Sequence, residues 1–188
     1  MSPDEPGRRP FMEATNLADL YELPLMDWGR ITARLDRGFP QAPGTSGPGR
    51  HTCWLSTIGA DGRPHLNGIG ALWLDGSFWF ETGERSRKGR NLARDPRCTL
   101  GLAVDEFDLV VEGTAEKIED PTTVAAMAEA WAAEGWPARV DDSGTAITAE
   151  FSAPSAGPPP WHVYRLGVER ATALGTVEPG GATRWTFP

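Results

Sequence analysis

Between positions 51 and 118 the chain is cut into short β-prone runs by turn signals, and that spacing leaves few folds open. HTCWLSTI (51–58) is followed by Gly59-Ala60-Asp61-Gly62, and HLNGIGALW (65–73) runs into Asp75-Gly76 before FWFET (78–82). Both interruptions are hairpin signals. CTLGLAVD (98–105) leads to FDLVVEGTAEKI (107–118), where Asp108, Glu112, Thr114 and Glu116 alternate with Leu109, Val111, Gly113 and Ala115. Such alternation gives a strand one buried and one wet face. WHVYRLGVERATAL (161–174) reads as a final long strand, and RWTFP closes the chain. Five or six antiparallel strands joined by hairpins predict a mainly β (α+β) fold, a small closed barrel with short flanking helices.

The helices carry their own punctuation. Asp27 reads as an N-cap, with Trp28, Ile31 and Leu35 spaced for one helix face and Gly38 as a stop. Asp120-Pro121 opens another helix, whose stripe of Val124, Met127 and Trp131 suits core or subunit contact, and Gly135 ends it. Residues 1–16 read as a frayed tail, 17–23 as one short helical turn, and 39–50 as a Gly/Pro-rich loop or hinge. This organisation gives an N-terminal arm, 1–50, before a barrel domain, 51–188. The stretch 137–160, ending AGPPP, is too long for a tight connection and reads as a lid.

Charge concentrates between the third strand and the fourth. Arg85, Arg87, Lys88, Arg90, Arg94 and Arg97 stand against one acid, Asp95, so this window is net +5 in a chain whose total is −8. Ser86 is a good N-cap, Leu92 an apolar position, and Pro96 a stop. Free backbone N–H groups and the helix dipole favour an anion at such a start. Cations there oppose the dipole, a placement that suggests a compensating phosphate. A solvated basic face is the plainer reading, and Arg94 and Arg97 fit it. The acidic remainder argues against nucleic acid and anionic membranes, which need a broad basic surface.

Cys53 and Cys98 fall in apolar strand-like runs, the setting of buried free thiols. With no disulfide framework, no hydrophobic targeting core and no apolar run approaching ~20 residues, a soluble cytoplasmic protein is expected. No zinc spacing, G-x-S-x-G or clustered Cys/His set is present, so neither a metal nor a protein nucleophile is expected to carry catalysis. Gly68 and Gly70 weaken the second strand; a bulge at a barrel corner and backbone approach to a flat ligand both account for them.

The strand-hairpin-strand order followed by FWFETGERSRKGRNLARDPR and another strand resembles the pyridoxamine 5′-phosphate oxidase-like split β-barrel superfamily. Within it, the chain is similar to the deazaflavin-dependent oxidoreductases that use coenzyme F-420. The resemblance implies that Arg87 and Lys88 bind the cofactor phosphate, with Ser86 capping nearby. It implies that the strand carrying His65, Asn67, Gly68, Ile69 and Gly70 runs under the tricyclic ring, with Thr82 and Gly83 lining the same pocket. It also implies a homodimer with sites at the subunit interface, where Trp161 and Arg184 reach toward the partner's site. Two departures stand out. The second strand has no cation where pyridoxamine phosphate oxidases use them for the FMN phosphate, and no basic motif surrounds Arg184, so vitamin B6 oxidation is not expected.

The expected function is hydride transfer from reduced F-420 to a small electron-poor substrate, the protein supplying anchoring, orientation and exclusion of water. FMN-dependent chemistry on the same barrel is the alternative. A third reading is a non-catalytic protein holding deazaflavin, flavin or haem. His65 is either an ordinary strand residue after Pro64 or a hydrogen-bonding partner of the cofactor.

Overall fold

The computed structural model describes residues 12–41, 47, 49–153 and 156–188. Its strands are β1 (Glu13–Asn16), β2 (Cys53–Ile58), β3 (Pro64–Ile69), β4 (Ala71–Leu74), β5 (Ser77–Thr82) and β6 (Arg97–Ala103). They continue with β7 (Phe107–Ile118), β8 (Arg139–Val140), β9 (Ile147–Thr148), β10 (His162–Gly167), β11 (Arg170–Gly175) and β12 (Ala182–Thr186). The α-helices are α1 (Trp28–Leu35), α2 (Arg87–Arg94) and α3 (Pro121–Ala133). Among the described residues no helix is long and apolar enough to cross a membrane.

Strand β7 is the spine on which the antiparallel barrel divides. One edge pairs with β6 from Asp108 to Thr114; the other pairs with β11 through Glu112 and with β10 from Ala115 onward. The handover falls at Gly113, where a Cβ would stand 2.1 Å from the Gly167 carbonyl oxygen. Only a residue without a side chain lets the two backbones meet there. Beyond β6 lie β2 and β3; beyond β11 lie β12 and β1; beyond β10 lie β5 and β4.

Two expected single strands are each two. The run 65–73 leaves its pairing with β2 at Ile69 and resumes with β5 at Ala71, turning the barrel corner at Gly70. The Gln41 side chain holds that corner, accepting from Ala71 N and donating to Ala71 O. The run 161–174 likewise divides after Gly167, since β10 and β11 serve different halves of the sheet. Apolar spacing continues through both corners, so periodicity does not reveal them.

The tail expected over 1–16 ends in a strand: Glu13–Asn16 pairs with β12, from Glu13 opposite Thr186 to Asn16 opposite Thr183. EATN is mostly exposed and joins through its backbone, which leaves no hydrophobic signature. The arm is also part of the barrel. Ile31 and Leu35 of α1 lie fully buried in the main core with Leu55, Phe78, Phe80 and Trp185. Asp27 caps α1 by accepting from Gly29 N at 3.1 Å. Residues 1–11, 42–46 and 48, on which the rest of the tail and most of the hinge fall, lie outside the described residues.

A second core forms on the opposite face of β5 and β10. Val124, Met127 and Trp131 of α3 pack over Trp79, Ile118 and Val163. Asp120 caps α3 with bonds from Thr123 N and Oγ1. The stretch expected as a lid closes this core: it carries β8 and β9, buries Ala138, Ala146 and Ile147, and bonds Ile147 to Trp161 in both directions. Burial of each large side chain here contributes about 1.5–3 kcal/mol, which opposes its opening as a flap.

Candidate functional site

Five side chains and a close contact set α2. Ser86 Oγ accepts from Gly89 N at 2.9 Å and lies 2.7 Å from Thr82 Oγ1, tying the helix start to the end of β5. Asn91 Nδ2 donates to Thr57 Oγ1 at 2.9 Å, a buried bond that pins the helix to β2. Leu92 is buried below. At Gly89 a Cβ would stand 2.3 Å from the Gly83 carbonyl oxygen, so the first turn packs directly on the preceding loop.

Three of the cations around α2 are engaged elsewhere. Arg97 grips Asp95 with two side-chain bonds, and this hydrogen bonding lowers the Asp95 carboxyl to about 2. Arg90 donates to Arg85 O and Arg94 to Ile58 O. Among the described residues, the side chains of Arg85, Arg87 and Lys88 have no hydrogen-bond partner and no carboxylate within 4.0 Å. Lys88 is only 7% exposed. Burial lowers its pKa, an effect partly offset by the Glu81 carboxylate. Burial in turn raises the pKa of Glu81, against the pull of Lys88. The stem is buried while the nitrogen has no direct partner among the described residues, which leaves the ammonium free to meet an anion.

β3 brings further unsatisfied groups to this end. His65 and Asn67 share a face, opposite Thr57 and Leu55 of β2. His65 Nδ1 and Asn67 Oδ1 are buried without hydrogen-bond partners. His65 meets α2 through Thr57, which stands opposite it in the sheet and accepts from Asn91; burial lowers the His65 pKa, and the charges of Arg87 and Lys88 lower it further. Two unpaired cations and two orphaned polar atoms thus belong to one locality. Their donor set fits a phosphate-bearing ligand with a polar ring edge.

The other expected residues divide. Arg87 is exposed, its Nη2 3.8 Å from where a Cβ on Gly59 would be. It borders a cavity of about 440 Å³ with Gly83, Arg85, Ser86, Pro160 and His162. It also borders one of about 400 Å³ with Asp61 and Arg90. Gly70 faces open space, as a flat ligand requires. At Gly68 that expectation fails: a Cβ would press to 3.2 Å from Thr52 Cγ2, so the space belongs to a neighbouring side chain. Ile69 packs against the main core. Thr82 is fully buried beneath Ser86 and lines no surface. Trp161 is also corrected. It is 2% exposed, packed 5.7 Å from Trp136 behind Gly83, and Nε1 donates to Gly157 O, so it does not reach toward a partner.

Sequence reasoning missed the Asn91–Thr57 bond, the Gly89 contact, and Glu81 as the charge facing Lys88. It also missed Glu84, which accepts from Lys117 at 2.8 Å and lies 3.1 Å from His162 Nε2, tethering the loop before α2. A glycine inside an eight-residue helix was the one signal available. Cys53 and Cys98 are buried free thiols, as expected, and burial pushes each up to about 12.

Residues 47–175 match the family model for pyridoxamine 5′-phosphate oxidase. The pyridoxine/pyridoxamine 5′-phosphate oxidase of Burkholderia lata is 32% identical over 177 residues, covering 81% of this chain and 82% of that protein. Among solved structures, a conserved hypothetical protein of Mycobacterium tuberculosis superposes with a TM-score of 0.54 at 25% identity. The match covers 79% of this chain and 84% of that one. A NimC/NimA family protein of Clostridium acetobutylicum has the same TM-score at 11% identity, covering 83% and 90%, a likeness of fold alone.

Proposed function

The chain belongs to the pyridoxamine 5′-phosphate oxidase family, and from that premise we propose that it is an oxidoreductase holding a flavin-type cofactor by its phosphate at Arg87 and Lys88. The observation that carries this reading is the pair itself: neighbouring cations at a helix start, both without partners among the described residues, one of them buried. His65 and Asn67 supply polar atoms for the ring edge, and Gly70 leaves room beside them. When bound, such a cofactor supplies two-electron redox chemistry; the residues of this chain anchor it, orient it and keep water away.

Coenzyme F-420 is the cofactor we favour. β3 has no cation, so the phosphate of the ligand rests on the α2 pair alone. FMN-dependent oxidation is the second reading, favoured by the 32% identity to pyridoxine/pyridoxamine 5′-phosphate oxidases. The substrate is a small electron-poor organic molecule.

The partner is a second copy of this chain. Leu66, Trp54, Val110 and Leu174 are all exposed, and the strand registers put them on one outer sheet face. An apolar surface of that breadth is suited to self-association.

Separate titrations with F-420 and FMN, followed by tryptophan quenching, test the cofactor assignment. Tighter F-420 binding is expected. Tighter FMN binding establishes the second reading, and F-420 binding without turnover of any enone or quinone-like acceptor argues for a carrier.

A further inference from the structure

Between α2 and the strands β7 and β10 lies a cavity of about 560 Å³. Its charged lining is Arg90, Arg94, Lys117 and Glu84, and Tyr164 also contributes to it. Tyr164 is 4% exposed, with its ring stacked on Phe80 at 5.5 Å and 6° between planes. Its hydroxyl has no hydrogen-bond partner among the described residues. The oxygen is not sealed in the core: among the described residues the buried unpaired polar side-chain atoms are His65 Nδ1, Asn67 Oδ1 and His162 Nδ1, so this hydroxyl meets the cavity and is free to donate there. Among the described residues the Glu84 carboxylate is the only acid in the lining, and its Oε1 is already engaged by Lys117 and His162. The other charged groups of the lining, among the described residues, are cations, of which Lys117 also lies 3.3 Å from Glu119 Oε1.

We propose that this cavity binds a small oxyanion, a carboxylate or a phosphate, which accepts the Tyr164 hydroxyl and is flanked by Arg90, Arg94 and Lys117. Neither Arg87, Lys88 nor His65 lines it, so it is a separate site on another side of the same helix. Burial raises the Tyr164 pKa, keeping the phenol a donor at neutral pH. Arg90 and Arg94 reach backbone carbonyls from exposed positions, and both can turn to a ligand without leaving a buried charge.

The test uses the Arg87→Ala/Lys88→Ala double variant, which removes the cofactor-phosphate anchor and leaves this cavity whole. Inorganic phosphate and acetate are titrated into it separately by calorimetry. Saturable one-to-one binding of phosphate assigns a phosphate ligand, and of acetate a carboxylate. Adding Tyr164→Phe, which retains the stacked ring, weakens that binding about tenfold, the scale of one hydrogen bond to a charged group. Arg90→Gln weakens it independently. Absence of saturable binding by either ion, or binding indifferent to both Tyr164→Phe and Arg90→Gln, overturns the proposal.

Discussion

Gly89 and Gly83 meet backbone to backbone: a Cβ on Gly89 would stand 2.3 Å from the Gly83 carbonyl oxygen. The same carbonyl accepts from Ser86 N at 3.0 Å, so the loop before α2 and its first turn form one rigid unit. Glycine in a helix interior is ordinarily the poorer choice, and alanine adds about 1 kcal/mol of stability there. Here the sign reverses. Gly89→Ala lowers stability by about 1–3 kcal/mol, the cost of overpacking, and displaces Arg87 and Lys88. Denaturant unfolding and cofactor titration read the two effects together.

Lys88 is tested through the charge that faces it. The residue is 7% exposed, its ammonium has no carboxylate within 4.0 Å among the described residues, and the Glu81 carboxylate pulls its pKa up against burial. Lys88→Met retains the buried stem but leaves the buried Glu81 without its facing cation, so the ligand-free protein loses about 1–3 kcal/mol. Cofactor affinity falls in the same variant. A thermal melt without ligand and a binding isotherm read the two losses.

His65 links the site to pH. Its folded-state pKa lies below the ordinary histidine value because of burial, then the charges of Arg87 and Lys88. An unfolded chain therefore takes up this proton first on acidification. The contribution of His65 to stability is constant above its unfolded pKa of about 6.5 and declines as pH falls from there through the folded value. Arg87→Ala returns the imidazole part of the way, since burial remains the larger cause. Ring-proton NMR titrations of both proteins measure this, and a phosphate-bearing ligand moves the wild-type value upward.

The outer face of the sheet carries the prediction about assembly. Trp54 stands opposite Gly68 on one side and Gly101 on the other, with exposed Leu66 and Val110 on the same face. Trp54→Glu combined with Leu66→Glu gives a folded monomer, whereas the unaltered chain sediments as a dimer. Analytical ultracentrifugation separates these outcomes.

Much of the barrel was legible because its strands are amphipathic and its turns chemically marked. FDLVVEGTAEKI folds as the strand its alternation predicts, and Ser86, Asp27 and Asp120 cap the helices they precede. Pairing made only by backbone leaves no such trace, which is why Glu13–Asn16 read as tail. The glycines of the second strand offered a barrel corner as one of two readings, and the chain turns at Gly70; the corner after Gly167 was hidden because the side-chain pattern runs on while the hydrogen-bonding partner changes. At the candidate site the charge cluster was visible as composition. Its sorting was not: Arg97 is held by Asp95, Arg94 and Arg90 by carbonyls, and only the fold shows which cations stay free. Trp161 carried a family expectation that its burial against Trp136 overrides.

The most direct measurement is the affinity of F-420 for the Arg87→Ala/Lys88→Ala double variant relative to the unaltered chain, at low ionic strength. Each charge-assisted contact contributes about 1.5–3 kcal/mol, so losing both weakens binding at least about a hundredfold. The unaltered chain itself loses affinity as salt is added, because Arg87 is exposed to screening. Equal affinity in the two proteins, with no dependence on salt, contradicts the assignment of these cations to a phosphate.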